Sequence, residues 1–392
     1  MSEALQRAEQ VAPRLAARAA DHDRDASFPV ADFDDLRHEG LLGLMVPLAL
    51  GGMGAGFEEY AKVAMALARG NGATALVFNM HAAVTGALAG IAPELARALG
   101  ATEAFFEERD RVLRAAAGGA LYGVAISEAG AGSRLSLLQS TYHRDGDGYR
   151  IRGTKSACSG AGHLDAYLVA ARAAGGGDAP VISYFLVPDA PGIEVEPGWD
   201  PLGMRATASH TVRFDVRVPV AALLGGVEGL ALPLAYAMPQ WLVASYAAVY
   251  VGLGQAAVAE ATGYLEKVHG AKGTVATAAR ARLGRAEAAV EASRLAVEHA
   301  ARLVDVAPGE PETNQWIHRA KLLAGDTAMG AAASLAEACG LGALGRGSPL
   351  ERIFRDARSG AIMPPRSDIC ADYLGANALG LDPRSVMEAP PW

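Results

Sequence analysis

Three small hydroxyl side chains mark where chemistry could take place. Ser127 and Ser133 bracket the run SEAGAGS, and Ser159 closes the run KSACS. Each ends a β-prone stretch beside a glycine (Gly130, Gly132 or Gly160), where a ligand can come close to the backbone. A serine hydroxyl donates one hydrogen and accepts at two lone pairs. Strands ending in Ser and Gly therefore suit a flat ring with a polar edge, although the same residues also serve as plain turn formers. No HExxH, paired CxxC or P-loop is present, so metal and nucleoside-triphosphate chemistry have no support. Cys158, beside Ser159, reads as a small buried residue and not as a nucleophile.

Those serines need a scaffold, and the chain is long enough for several units. It has 392 residues, 51% of them hydrophobic, and a formal net charge of −8. The acidic balance argues against nucleic acid as a partner, which needs a basic face. Three widely spaced cysteines (Cys158, Cys339, Cys370) argue against a disulfide framework or a Cys-based zinc site. The charged N-terminus lacks the apolar core of a signal peptide, and no uninterrupted run of about 18 apolar residues suggests a membrane span. A cytoplasmic protein is the expectation.

Hydrophobic periodicity divides the chain into three. Residues 1–118 carry apolar residues at helical spacing, punctuated by Pro29, Pro47 and Gly51-Gly52, which predicts about five helices. Residues 119–225 change to short β-branched runs such as VISYFLVP, GIEVEP and HTVRFDVRVP. Residues 226–392 return to helices, predicted over 228–268, 275–305, 312–339 and 349–361, with a shorter one after Asp368. The order is helical domain, small β domain, helical bundle, an α+β organisation.

Four stretches make that order recognisable: GLLGLMVPLALGGMGAGFEEYAKV, ISEAGAGS followed by GYRIRGTKSACSGAGHLDAYLVAA, LGMRATASHTVRFDVRVPVAALLG, and RIFRDARSG. Their sequence, order and spacing resemble the acyl-CoA dehydrogenase superfamily over nearly the full length. The resemblance implies an N-terminal α-helical domain, a middle β-barrel and a C-terminal four-helix bundle, with a flavin between barrel and bundle in a homodimer or homotetramer. FAD is the implied cofactor, with FMN as the other option. On this reading Ser127, Gly132 and Ser133 bind the flavin. Ser159 lies near its N5 and also takes a catalytic role. Ala157 stands where many members carry an aromatic residue, which leaves room over the ring for substrate. Arg205 is expected either to position substrate or to form a surface salt bridge.

The same resemblance exposes a gap. Dehydrogenation of a thioester needs a carboxylate poised over a weakly acidic α-proton. The family places that Glu at one of two positions, and here they hold Pro364 and Gln240-Trp241. The family's Arg-x-x-Phe-Gly motif, which grips flavin pyrophosphate, corresponds to EKVHG, with Glu266 for Arg and His269-Gly270 for Phe-Gly. Its Gln-x-x-Gly-Gly loop begins with Glu337, and Arg280 and Arg282 are candidates to compensate. These departures resemble the superfamily's two-component monooxygenases, similar to dibenzothiophene and indole hydroxylases. Those enzymes take reduced flavin from a separate reductase and form a C4a-hydroperoxide with oxygen. The implied substrate is a small aromatic or heterocyclic metabolite. His81 is a candidate proton donor, a helix-start histidine bonded to backbone being the alternative. Gln240, Trp241 and Arg366 are candidate substrate contacts, with core packing for Trp241 and an Arg366–Asp368 ion pair as the structural alternatives. An acyl-CoA or acyl-carrier-protein dehydrogenase with an unrecognised base is the competing function, and a base-free lyase or binding protein a third.

Overall fold

A computed structural model describes residues 1–175, 180–269 and 274–387. Six helices come first: α1 (Glu3–Asp25), α2 (Val30–His38), α3 (Phe57–Gly70), α4 (Gly72–Ala89), α5 (Pro93–Ala98) and α6 (Glu103–Ala117). α1 is amphipathic by spacing, burying Ala4, Ala8, Val11, Leu15 and Ala19, and Ser2 caps it by accepting from the Leu5 N–H. α4 is different. It is buried around almost its whole circumference, which makes it the central post of this half. Its N-terminus is held by a fully buried carboxylate: Asp32 accepts from Thr74 at 2.6 Å, Asn71 at 3.2 Å and Arg18 at 2.7 Å.

Seven strands follow: β1 (Tyr122–Ala125), β2 (Thr141–Asp145), β3 (Gly148–Cys158), β4 (Ala166–Ala173), β5 (Ile182–Pro188), β6 (Ile193–Glu196) and β7 (His210–Pro219). They curl into a partly open barrel in the order β1-β4-β2-β3-β7-β6, with β5 on the other edge of β4. β1 and β2 run parallel to β4, and the remaining pairs are antiparallel.

The bundle comprises α7 (Ala231–Ala237), α8 (Ala244–His269), α9 (Thr277–Val306), α10 (Pro311–Cys339), α11 (Pro349–Ala357), α12 (Ser367–Ala378) and α13 (Pro383–Val386). The single helix expected over 228–268 is broken. Pro239 opens a short 3-10 turn, Pro239–Trp241, between α7 and α8, because proline lacks the N–H that a helix interior requires. α4 and the 239–268 segment are apolar and long enough to cross a membrane, but both are mostly buried inside the protein. They are core helices by that measure. One continuous core links all three parts.

Candidate active site

The site is built around an irregularity in β3. β3 and β7 pair in register as far as Lys155 and Val212, and pairing resumes at Cys158 and His210. Three steps along β3 thus match two along β7, which is a β-bulge. Ala157 takes up the extra residue in a left-handed conformation, φ +54°. Met204 and Ala208, in the loop before β7, are also left-handed. Such non-glycine backbone costs on the order of 1–3 kcal/mol per residue and persists only where surroundings enforce it.

The surroundings do enforce it. A Cβ on Gly203 would come within 2.3 Å of the Arg355 carbonyl oxygen, so this loop lies directly on α11. The buried Asp356 carboxylate accepts from the Met204 N–H at 2.5 Å, and burial pushes its pKa up to about 6. Beside it Arg355 pairs with Asp23 at 2.5 Å and Glu351 at 2.6 Å, joining α11 to the end of α1. Below the serines, Lys155 (0% exposed) reaches Glu128 (5% exposed) at 2.6 Å. Glu128 also accepts from the N–H groups of Gln139 at 2.6 Å and Ser140 at 3.1 Å. Burial alone would raise the Glu128 pKa, but these donors hold it below the ordinary value. The pair locks β1, β3 and the SEAGAGS loop into one wall.

Above that wall lies a cavity of about 190 Å³ between barrel, α4 and bundle. Its barrel side presents Ser127, Ser133, Ala157 and Ser159, so the structure brings together the predicted serines and Ala157. Gly132 supports the same loop at φ +61°. The apolar walls include Leu76 and Met80 of α4, Val124, Ile126 and Leu135 of the barrel domain, and Leu242. From the bundle come Tyr246, Ser359, Met363 and Pro364. No Asp, Glu, Lys, Arg or His lines it among the described residues. The hydroxyls of Ser127, Ser133, Ser359 and Tyr246 have no hydrogen-bond partner among the described residues. Burial pushes the Tyr246 phenol up to about 12, so it is a neutral donor at physiological pH.

Two hydroxyls that sequence reasoning did not single out complete the site. Ser159 Oγ lies 2.9 Å from Ser209 Oγ, which lies 2.7 Å from Thr207 Oγ1. Thr207 Oγ1 donates to the Met204 carbonyl at 2.9 Å. All three are buried and all line the cavity. The signal available was TAS in LGMRATASH, two hydroxyls spaced by two residues just ahead of a strand.

The other candidates sit elsewhere. His81 is buried beside β1, with Nε2 donating to the Leu42 carbonyl at 2.7 Å and Nδ1 accepting from the Tyr122 N–H at 3.1 Å. Burial lowers its pKa to about 4, and neither nitrogen is left for a ligand. Trp241 is off the cavity and packs on Phe57 and Tyr60 at ring separations of 4.9 and 5.9 Å. It also fills the space beside Gly86, where a Cβ would lie 2.2 Å from its ring. Gln240 is buried with Oε1 unpartnered, also off the cavity. Arg366 is exposed and paired with Asp368 at 2.5 Å. Arg205 pairs with Asp200 and donates to the Asp23 carbonyl at 2.7 Å, a brace between α1 and the barrel loop. Arg282 neutralises Glu337 at 2.7 Å. Gly270 of the EKVHG stretch lies outside the described residues. Burial pushes the Cys158 thiol up to about 12, as expected of an inert cysteine. No cluster of three metal-ligating side chains occurs among the described residues.

The wall fits a flavin. The barrel side concentrates hydroxyls for a polar ring edge, apolar side chains make up most of the remaining wall, and Gly130 and Gly132 leave open space at the loop. Residues 5–98, 123–216 and 244–363 match the N-terminal, middle and C-terminal domains of acyl-CoA dehydrogenase. The chain is 32% identical to an L-evernosamine nitrososynthase from Micromonospora sp., over 95% of this chain and 89% of that one. Among solved structures, KijD3 in complex with FMN and dTDP-3-amino-2,3,6-trideoxy-4-keto-3-methyl-D-glucose superposes with a TM-score of 0.84 at 27% identity, covering 97% and 93% of the two chains. TdsC from Paenibacillus sp. A11-2, with FMN and indole, gives 0.82 at 25% identity over 96% and 97%.

Proposed function

The chain belongs to the acyl-CoA dehydrogenase family and is a flavin-dependent oxidoreductase, and we propose that it acts as a monooxygenase using reduced flavin and oxygen. One observation carries this reading: the cavity has a hydroxyl-lined wall for a flavin but no carboxylate among its described lining residues. α,β-Dehydrogenation needs a base over the α-carbon. At the two family positions, Pro364 faces the cavity and Gln240 is buried away from it. The dehydrogenase alternative is left without a proton acceptor.

A bound flavin would supply the oxygen-activating chemistry. The protein supplies a place for it. Ser127 and Ser133 would hold the cofactor from the loop, and Ser159 would meet the ring edge. Ala157 leaves space above the ring, and the apolar walls keep water out. Tyr246 and Ser359 face the site from the bundle as uncommitted hydroxyls, suited to orient a substrate. In this reading His81, Trp241, Gln240 and Arg366 serve packing and bracing. Glu266 at the family's pyrophosphate-gripping position suits a flavin that is exchanged with a separate reductase, and a homodimer or homotetramer remains the proposed assembly.

The substrate class proposed is a small aromatic or heterocyclic metabolite. Oxygenation of an amine nitrogen on a sugar is a second reading, favoured by the 32% identity to a nitrososynthase. The test supplies the protein with FMN, NADH, a flavin reductase and ¹⁸O₂. Parallel reactions contain indole and dibenzothiophene, nucleotide-linked amino sugars, or acyl-CoA thioesters. Incorporation of ¹⁸O into either of the first two groups is expected. Anaerobic reduction of enzyme-bound flavin by an acyl-CoA would overturn the proposal.

A further inference from the structure

We infer that the buried hydroxyl chain Ser159–Ser209–Thr207 is proton-ordered, so that Ser159 meets the bound ring as a hydrogen-bond acceptor and the site prefers reduced over oxidised flavin. The inference rests on the reading that a flavin ring lies against Ser159. The ordering itself follows from counting hydrogens. A carbonyl oxygen can only accept, so the single Thr207 hydroxyl hydrogen is committed to Met204 at 2.9 Å. Thr207 can then only accept from Ser209, at 2.7 Å. With its hydrogen spent, Ser209 can only accept from Ser159, at 2.9 Å. Ser159 has no hydrogen left for the cavity. It offers lone pairs alone.

The chain can be reversed at the loss of one bond. If Ser159 is to donate to a ligand, Ser209 must donate to Ser159, and Thr207 must turn from Met204 to Ser209. Met204 still accepts from Trp199 Nε1 at 3.1 Å and from the Thr207 N–H at 3.3 Å, so reversal is feasible but not neutral. A ring edge that presents N–H leaves every internal bond in place. A ring edge that presents a bare nitrogen requires the reversal. Reduced isoalloxazine carries N–H where the oxidised ring has bare nitrogen. The ordered chain therefore discriminates between the two by about one net hydrogen bond, roughly fivefold to tenfold in affinity. The loop geometry that sets this polarity is fixed by the Asp356 contact to Met204.

The test measures dissociation constants of full-length protein for oxidised FMN and, anaerobically, for reduced FMN. It includes Thr207→Val, Ser209→Ala and the conservative Thr207→Ser, with circular dichroism as a check on folding. Wild type and Thr207→Ser should bind reduced FMN more tightly. Thr207→Val and Ser209→Ala each free a hydrogen for Ser159 to donate. In both, the ratio of oxidised to reduced dissociation constants should fall by roughly fivefold to tenfold, which lowers the two-electron potential of bound flavin by about 20–30 mV. An unchanged ratio in either folded variant overturns the inference while leaving the flavin site intact. If wild type binds neither form, the flavin reading falls and the inference falls with it.

Discussion

The two walls of the cavity differ in how firmly the protein holds them. The barrel wall is over-determined. A buried ion pair (Lys155–Glu128), a bulge with left-handed Ala157, and a three-member hydroxyl chain fix Ser127, Ser133 and Ser159. The bundle wall is tied through its backbone, where the buried Lys321 donates to the Gly360 carbonyl at 2.9 Å beside Ser359, and its cavity-facing side chains are less committed. The Tyr246 and Ser359 hydroxyls face the cavity with no hydrogen-bond partner among the described residues, and Met363 and Pro364 add apolar surface. The wall that would carry a cofactor is rigid and family-like. The bundle wall, where the proposed reading looks for a dehydrogenase base, presents no carboxylate among its described lining residues. On the proposed reading, cofactor platform and reaction type are separable in this fold, and the uncommitted hydroxyls of the bundle side would bear on substrate choice.

The largest effect should come from breaking the barrel wall. Lys155→Met leaves Glu128 buried and unpaired, a loss of roughly 3–5 kcal/mol. Ser359→Ala on the bundle wall should change stability by no more than about 0.5 kcal/mol. Urea denaturation of the two variants checks the contrast.

Next comes pH. His81 and His318 are depressed to about 4 by burial, so each is neutral in the fold and protonated more readily when unfolded. The stability each contributes is present above the unfolded pKa and is lost as pH falls from about 6.5 towards 4, about 3 kcal/mol each. Asp356 acts in the opposite sense. Its pKa of about 6 favours the fold below the unfolded carboxylate value, and that gain is lost as pH rises through about 6. Two histidines outweigh one carboxyl, so the protein should weaken on acidification below pH 6.5. Asp356→Asn should make that decline steeper in calorimetric scans at pH 7 and 5.

Ala157→Trp narrows the space over the ring without touching the serines. Flavin affinity should stay within about threefold, while substrate affinity falls by at least roughly tenfold, about 1.4 kcal/mol. Equal losses of both would mean that the walls do not divide their roles. The smallest effect belongs to Tyr246→Phe, which removes one neutral donor. Substrate affinity should drop by about 1 kcal/mol and flavin affinity should hold; calorimetric titration of each ligand separates the two.

Some of this was legible in the chain. The α+β order and the serine-glycine runs are local patterns, and local patterns survive folding. The family likeness also singled out Pro364 and Gln240-Trp241 as the positions to inspect for a base. What stayed hidden depends on distant partners. Ser159 and Ser209 are 50 residues apart and meet only because a bulge shifts β3 against β7. His81 looked available because its backbone partners lie 39 and 41 residues away. The break at Pro239 was written in the sequence, but apolar periodicity on both sides masked it. That break also carries Gln240 and Trp241 off the cavity.

The central claim is that a flavin platform here operates without a dehydrogenase base. Stopped-flow mixing of the reduced-flavin complex with oxygenated buffer tests it most directly. A long-lived absorbing species that is neither reduced nor oxidised flavin, with no flavin bleaching by an acyl-CoA panel under anaerobic conditions, is the predicted result. Immediate return to oxidised flavin at the rate seen free in solution, together with bleaching by an acyl-CoA, would contradict it.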